Sequence, residues 1–139
     1  MRFWLFKSEP DTWSWDQQVA GGEAGEDWHG VRNYQARNNM RAMVLGDLGF
    51  YYHSNIGKEV VGIVEVCRLS APDSTTDDPR WDCVWIRAVR PFLRAVTLDE
   101  CKVQPGLEAM VLVNNSRLSV QPVTAEEWRI VCGMGGVEA

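Results

Sequence analysis

Two nearly adjacent stretches hold the side chains best suited to grip a ligand: Trp28-His29-Gly30-Val31-Arg32-Asn33-Tyr34-Gln35-Ala36-Arg37-Asn38, then Gly46-Asp47-Leu48-Gly49-Phe50-Tyr51-Tyr52-His53-Ser54-Asn55. They contain both histidines of the chain and gather Trp, Tyr, Arg, Asn and Ser. Rings stack on the face of a flat ligand, while amides, hydroxyls and guanidinium groups reach its edge. In a buried helix the same polar groups would each need a partner. The mixture therefore points to a recognition pocket for a nucleobase or a similar planar group. Trp28 would form one wall and Trp13, Trp15 or Tyr52 a second, with Ser8, Asn33 and Ser54 hydrogen-bonding the edge of a flipped base. Lys7, Arg32, Arg37 and Arg41 would hold the phosphates.

A catalytic reading of the same residues makes His53 a general base, Ser54 or a cysteine a nucleophile and Asp47 an orienter. It finds little support. Adjacent residues of a strand point to opposite faces, and no nucleophile elbow, glycine-rich cofactor loop or metal motif is present. Cys67, Cys83, Cys101 and Cys132 are too far apart for a zinc cluster and read as reduced packing residues. No cofactor and no metal are expected. A reader of a free nucleotide, or a protein-interaction adaptor, is the other alternative to a nucleic-acid binder, supported by the net charge of −5.

Several elements must position these residues. The run from Arg2 to Phe6 reads as a strand that ends at Lys7-Ser8-Glu9-Pro10, because Pro10 has no N–H for a ladder. Ser14 with Gln17 is a capping box opening a short helix that Gly21-Gly22 stops. Residues 21–27 read as an acidic loop that delivers Trp28 with freedom. A helix capped by Asn33, with Ala36, Met40 and Met43 on one face, is predicted to end at Gly46. Residues 48–53 and 59–67 form a hairpin, and Gly49 and Gly62 mark bulges or tight bends. Residues 70–80 read as a solvated loop, 82–90 as a strand, and Thr97-x-x-Glu100 as the start of a helix that stops before Pro105. One more turn follows over residues 107–112. Residues 117–123 form an edge strand because of Pro122, and Thr124-x-x-Glu127 opens a last helix before a frayed tail.

At 139 residues with 45% hydrophobic composition, the chain fits one domain, residues 1–139, with no run long enough to span a membrane. The amino-terminal apolar run is too short for a signal peptide, so a cytoplasmic location is expected; the chain is also expected to be a monomer. Charge is unevenly placed. Residues 28–58 carry four basic and one acidic side chain, whereas both flanking segments are acidic. Trp4, Trp85 and Trp128 are assigned to the core.

Lys7-Ser8-Glu9-Pro10, Trp28-x-Gly30-Val31-Arg32-Asn33-Tyr34-Gln35-Ala36-Arg37-Asn38, Gly46-Asp47, Tyr52-His53-Ser54-Asn55 and Arg117-Leu118-Ser119-Val120 closely resemble the EVE domain family in order and spacing. The resemblance spans nearly the whole chain. It implies an α+β fold, a PUA-like small β-barrel of five to six strands flanked by short helices, related to YTH domains. It also implies a non-catalytic reader of a modified base, methyl- or hydroxymethyl-type, in DNA or RNA. By position, Trp28 matches the family's pocket aromatic, and Lys7, Ser8, Asn33, His53 and Ser54 its polar lining. Val31, Arg32, Tyr52 and Asn55 lie within the matching motifs and are carried as ligand-binding candidates. Only one of Trp13 and Trp15 should face the pocket.

Overall fold

Alternation along Phe3–Ser8 (β1) sends Leu5 to one face of a sheet and Trp4 and Phe6 to the other, and the rest of the molecule is built on those two faces. The computed structural model describes residues 2–115 and 117–139, apart from the Ser70 side chain. After β1 come α1 (Trp15–Ala20), a 3-10 turn at Gly22–Ala24, β2 (Glu26–Asp27) and α2 (Tyr34–Arg41). The long strands follow: β3 (Leu48–His53), β4 (Glu59–Pro72) and β5 (Asp82–Thr97). Then come α3 (Leu98–Val103), α4 (Val111–Asn114), β6 (Val120–Val123) and α5 (Ala125–Met134).

The six strands lie in the order β2-β5-β4-β3-β1-β6. The pair β1/β3 is parallel, with Ser8 opposite His53, and the other pairs are antiparallel. The fold is α+β with six strands and flanking helices, as expected. The ladder does not close into a barrel, since β2 and β6 remain its two edges. Register shifts along β4 and β5 bend the sheet strongly without joining those edges. Pro122 sits on edge strand β6, where a missing donor is harmless.

Leu5, Phe50, Tyr52, Val60 and Ile63 pack under α3 and α5, where Trp128 stacks on Phe50 with ring centroids 4.1 Å apart. Trp4, Phe6, Tyr51, Val64 and Val66 pack on the opposite face with Trp28 and with Ala36 and Met40 of α2. Trp4 and Trp128 are core residues as assigned. Trp85 is only half-buried, with the Arg68 guanidinium 5.2 Å from its ring centre.

Local signals held where a side chain bonds its own helix. Ser14, Thr97 and Thr124 each complete a capping box, and the Asn33 side chain accepts from the Ala36 N–H. Other boundaries moved for tertiary reasons. The helix α2 stops at Arg41, and Gly46, at φ +88°, belongs to a turn in which Asp47 captures the Val44 N–H. Strands β4 and β5 each run several residues beyond expectation because they pair with one another through the bulges. The final strand is confined to Val120–Val123. Residues 26–27 are a strand edge instead of a free loop. The tail is held too: the Gly135 carbonyl accepts from the Leu93 and Arg94 N–H groups.

Candidate functional site

The parallel pairing of β1 with β3 brings Ser8 and His53 to one end of the sheet, and the chain leaving β1 folds back over that end. Three hydrogen bonds fix this return. The Ser8 hydroxyl and the Tyr51 hydroxyl both donate to the Trp13 carbonyl, at 2.7 and 2.6 Å, and the Trp15 N–H donates to His53 Nε2 at 3.0 Å. The Trp13 indole N–H then donates to Gln18 Oε1, a buried amide whose own NH2 donates to the Ile86 carbonyl. Facing this loop is the segment from β2 to α2. Its Trp28 N–H donates to the Val84 carbonyl, and the Trp28 ring meets the edges of Phe6 and Tyr51 at 5.5 and 5.7 Å.

Between the two segments lies a cavity of about 380 Å³. Trp13 and Trp28 line it, together with Ser8, Val31, Arg32 and Ser119. Glu9, Thr12, Glu26, Asp27, His29 and Gly30 complete its wall. That volume is at the low end of small-molecule pockets. A second hollow of about 360 Å³ beside Glu65 and Arg87 contains no aromatic side chain.

Lys7 also borders the cavity, but strand alternation turns its side chain to the other face. Its ammonium lies 5.8 Å from the centre of the Tyr52 ring, and burial lowers its pKa. Tyr52 itself is in the core under α3 and α5. Of the two tryptophans of the loop, Trp13 lines the cavity and Trp15 does not. The Trp15 ring instead covers Gly62, where a Cβ would sit 2.5 Å from it, and stands edge-on to Tyr51. Hence Gly62 is required by the close approach of this ring.

Four more candidates lie outside the cavity lining. Asn33 is spent as the cap of α2. His53 holds the start of α1, Ser54 donates its backbone N–H to the Ser8 carbonyl, and Asn55 occupies a left-handed turn position at φ +70° in the β3/β4 hairpin. His53 therefore uses Nε2 as an acceptor. Burial lowers its pKa, partly offset by Glu59 and Asp16.

This arrangement does not form the catalytic set considered from the sequence. Asp47 is at the opposite end of β3, about 20 Å away at strand spacing, and is committed to the Trp4 indole and the Arg2 N–H. Burial pushes the Cys83 thiol up to about 12 and the Cys101 and Cys132 thiols up to about 11, which makes them poor nucleophiles. Among the described residues, no group of His, Cys, Asp and Glu could hold a metal. No helix among them is long and apolar enough to cross a membrane.

The guanidinium groups expected to meet phosphates are already engaged. Arg32 donates to Asp73 and Thr75, and Arg41 grips Asp82 through Nε. Arg37 donates to Asn38 and to the Arg80 carbonyl and lies 4.7 Å from the Tyr34 ring centre. Among the described residues, Arg37 makes no ion pair.

The main residue missed from the sequence is Asp73, placed in the presumed solvated loop. It is 2% exposed and accepts from the Gly30 N–H, Arg32, and both the N–H and hydroxyl of Thr75. Burial alone would raise its pKa, but these donors outweigh it and hold the carboxyl well below the usual range. Asp73 thereby pins the wall segment from Trp28 to Arg32, with Gly30 at φ +80° making the turn. The Tyr34 and Trp81 rings, stacked 5.0 Å apart, clasp the far end of the same loop to α2.

Known proteins share this fold over nearly the whole chain. A crystallised protein of Agrobacterium tumefaciens is 62% identical and superposes with a TM-score of 0.97, over 99% of this chain and 94% of that one. Human THYN1, crystallised in complex with 5-methylcytosine containing DNA, is 33% identical with a TM-score of 0.90, and the match covers 100% of both chains. Mouse thymocyte nuclear protein 1 is 34% identical over 98% of this chain and 74% of its own length. A YTH domain of Zygosaccharomyces rouxii shares the fold alone, at 16% identity and a TM-score of 0.60. The EVE domain model matches residues 2–134, and with a relative 34% identical over 98% of this chain, the chain belongs to the EVE domain family.

Proposed function

We propose that this domain is a non-catalytic reader of a modified base, of the 5-methylcytosine type, extruded from nucleic acid into the cavity between Trp13 and Trp28. The observation that carries the reading is the pairing of these two indoles on opposite segments around a cavity of about 380 Å³. Their backbones are anchored independently of any ligand, so the walls are in place before binding. The human relative's complex with 5-methylcytosine containing DNA supports both the polymer and the modification.

A methyl group buried against an indole is worth about 1–3 kcal/mol, or roughly five- to hundred-and-fifty-fold in affinity. Phosphate contacts are secondary in this reading. Arg37 is the cation best placed to exchange its present partners for a phosphate, and exposed ion pairs such as Arg41 with Asp82 cost little to break. Salt dependence should therefore be shallow.

The test is a titration of the full chain with matched single- and double-stranded DNA, plus the RNA counterpart, carrying cytosine or 5-methylcytosine at one position. The reading requires the methylated strand to bind at least several-fold tighter. Equal binding within twofold across the panel would refute it.

A further inference from the structure

The cavity wall carries a carboxylate without a partner, and this bears on which base it can hold. Several lining donors are already used inside the protein, whereas the Thr12 and Ser119 hydroxyls make no hydrogen bond among the described residues. The Ser8 hydroxyl is on the Trp13 carbonyl, the Trp13 N–H on Gln18, the Gly30 N–H on Asp73, and Arg32 on Asp73 and Thr75. Carboxylates are present without matching donors. Glu26, half-buried on β2, makes no hydrogen bond or ion pair among the described residues. Asp27 beside it is held in place, one oxygen against His29 Nδ1 at 3.0 Å and the other accepting from the Ser74 hydroxyl at 2.9 Å. A carboxylate has more lone pairs than these two contacts use.

One indole donor remains open. Trp28 is 8% exposed, yet its N–H has no partner among the described residues. It is also not among the unpaired polar atoms sealed from solvent, which are Gln121 Oε1 and Trp128 Nε1. Trp28 lines the cavity, and its indole N–H is not sealed from solvent.

An unpaired acceptor in such a space favours a ligand that brings a donor and penalises one that brings a carbonyl to the same place. The two bases that carry a methyl at the same ring position differ in this respect. Cytosine presents an amine where thymine presents a carbonyl oxygen, and Asp or Glu is the natural acceptor for that amine. We propose that the cavity selects an amine-bearing pyrimidine, with Glu26 accepting from the exocyclic amine and the Trp28 N–H donating to a ring carbonyl. This rests on the base-reading function above and adds to it that thymine, which supplies the same methyl group, is rejected.

The experiment compares single-stranded oligonucleotides that are identical except at one position, which carries 5-methylcytosine, cytosine or thymine. Single strands keep the cost of unpairing out of the comparison. Wild type should bind the 5-methylcytosine strand about tenfold or more tighter than the thymine strand. Glu26→Gln, whose amide can donate as well as accept, should melt as wild type does and bring the two strands within about twofold. Trp28→Phe should weaken both 5-methylcytosine and thymine strands, because either base carries the carbonyl that the indole N–H would serve.

If wild type binds thymine as tightly as 5-methylcytosine while Trp13→Ala weakens both, selection by amine is overturned and the aromatic pocket stands. Full retention of the preference in Glu26→Gln overturns the role of Glu26. If Trp13→Ala changes nothing, the base-reading function fails as well.

Discussion

Replacing Trp13 by Ala separates the ligand-facing role of a ring from the stability of the fold better than any other single change. The backbone of Trp13 is held by the Ser8 and Tyr51 hydroxyls through its carbonyl, and neither bond involves the ring. The loop should therefore keep its path in Trp13→Ala. Loss of one stacking platform costs about 1–3 kcal/mol per base, or roughly five- to hundred-and-fifty-fold in affinity. The stability cost has a different source. Gln18, fully buried, loses the donor to its Oε1, and an unsatisfied buried acceptor costs about 1–3 kcal/mol unless water reaches it through the vacated space. Trp13→Phe keeps a ring face and loses only the N–H, so it should share the stability loss while keeping most of the affinity. The assay is an anisotropy titration with a labelled 5-methylcytosine oligonucleotide, paired with a thermal melt of each variant. A cooperatively melting Trp13→Ala that binds within twofold of wild type would refute the reasoning.

Three further outcomes are expected. Trp28→Ala should lose about 3–5 kcal/mol of stability in a denaturant titration, because its ring packs on Phe6 and Tyr51, so its binding defect is interpretable only beside that loss. Asp73→Asn should lower the melting temperature by the equivalent of about 1–3 kcal/mol and also weaken oligonucleotide binding, since Gly30 and Arg32 lose their shared anchor; unchanged affinity would separate the loop from the site. His53 has a folded pKa below its unfolded value of about 6.5 because burial and the Trp15 N–H favour the neutral ring. The unfolded chain then binds more protons, so this contribution is present above about pH 6.5 and is lost as pH falls through the folded pKa. Melting temperature measured from pH 8 to 5 should decline in wild type and decline less in His53→Gln.

What the sequence disclosed was local. Capping boxes at Ser14, Thr97 and Thr124 involve residues three apart, so they could be read without knowing the fold. Trp28, Val31 and Arg32 could be singled out because they sit together in one segment, and Ser8 and Trp13 because they follow the first strand; all five line the cavity. The failures depend on the sheet. Period-two alternation says that Tyr52 and Tyr51 face opposite sides, but only the packing of α3 and α5 shows which side Tyr52 takes. The same ambiguity hid the direction of the Lys7 side chain, whose ammonium lies toward the Tyr52 ring. Asp73 was illegible for another reason: its partners Gly30 and Arg32 lie 43 and 41 residues away, and a Pro-flanked Asp in an acidic stretch looks like any solvated turn. Glu26 and Asp27 looked like loop charges because a two-residue strand carries no periodicity.

The most direct test of the account is a crystal structure of the full chain bound to a single-stranded oligonucleotide carrying one 5-methylcytosine. This base should be swung out of the strand and lie between the Trp13 and Trp28 indoles, with its amine within hydrogen-bond distance of Glu26. A complex in which the strand binds elsewhere and the cavity between the two indoles holds no base would contradict it.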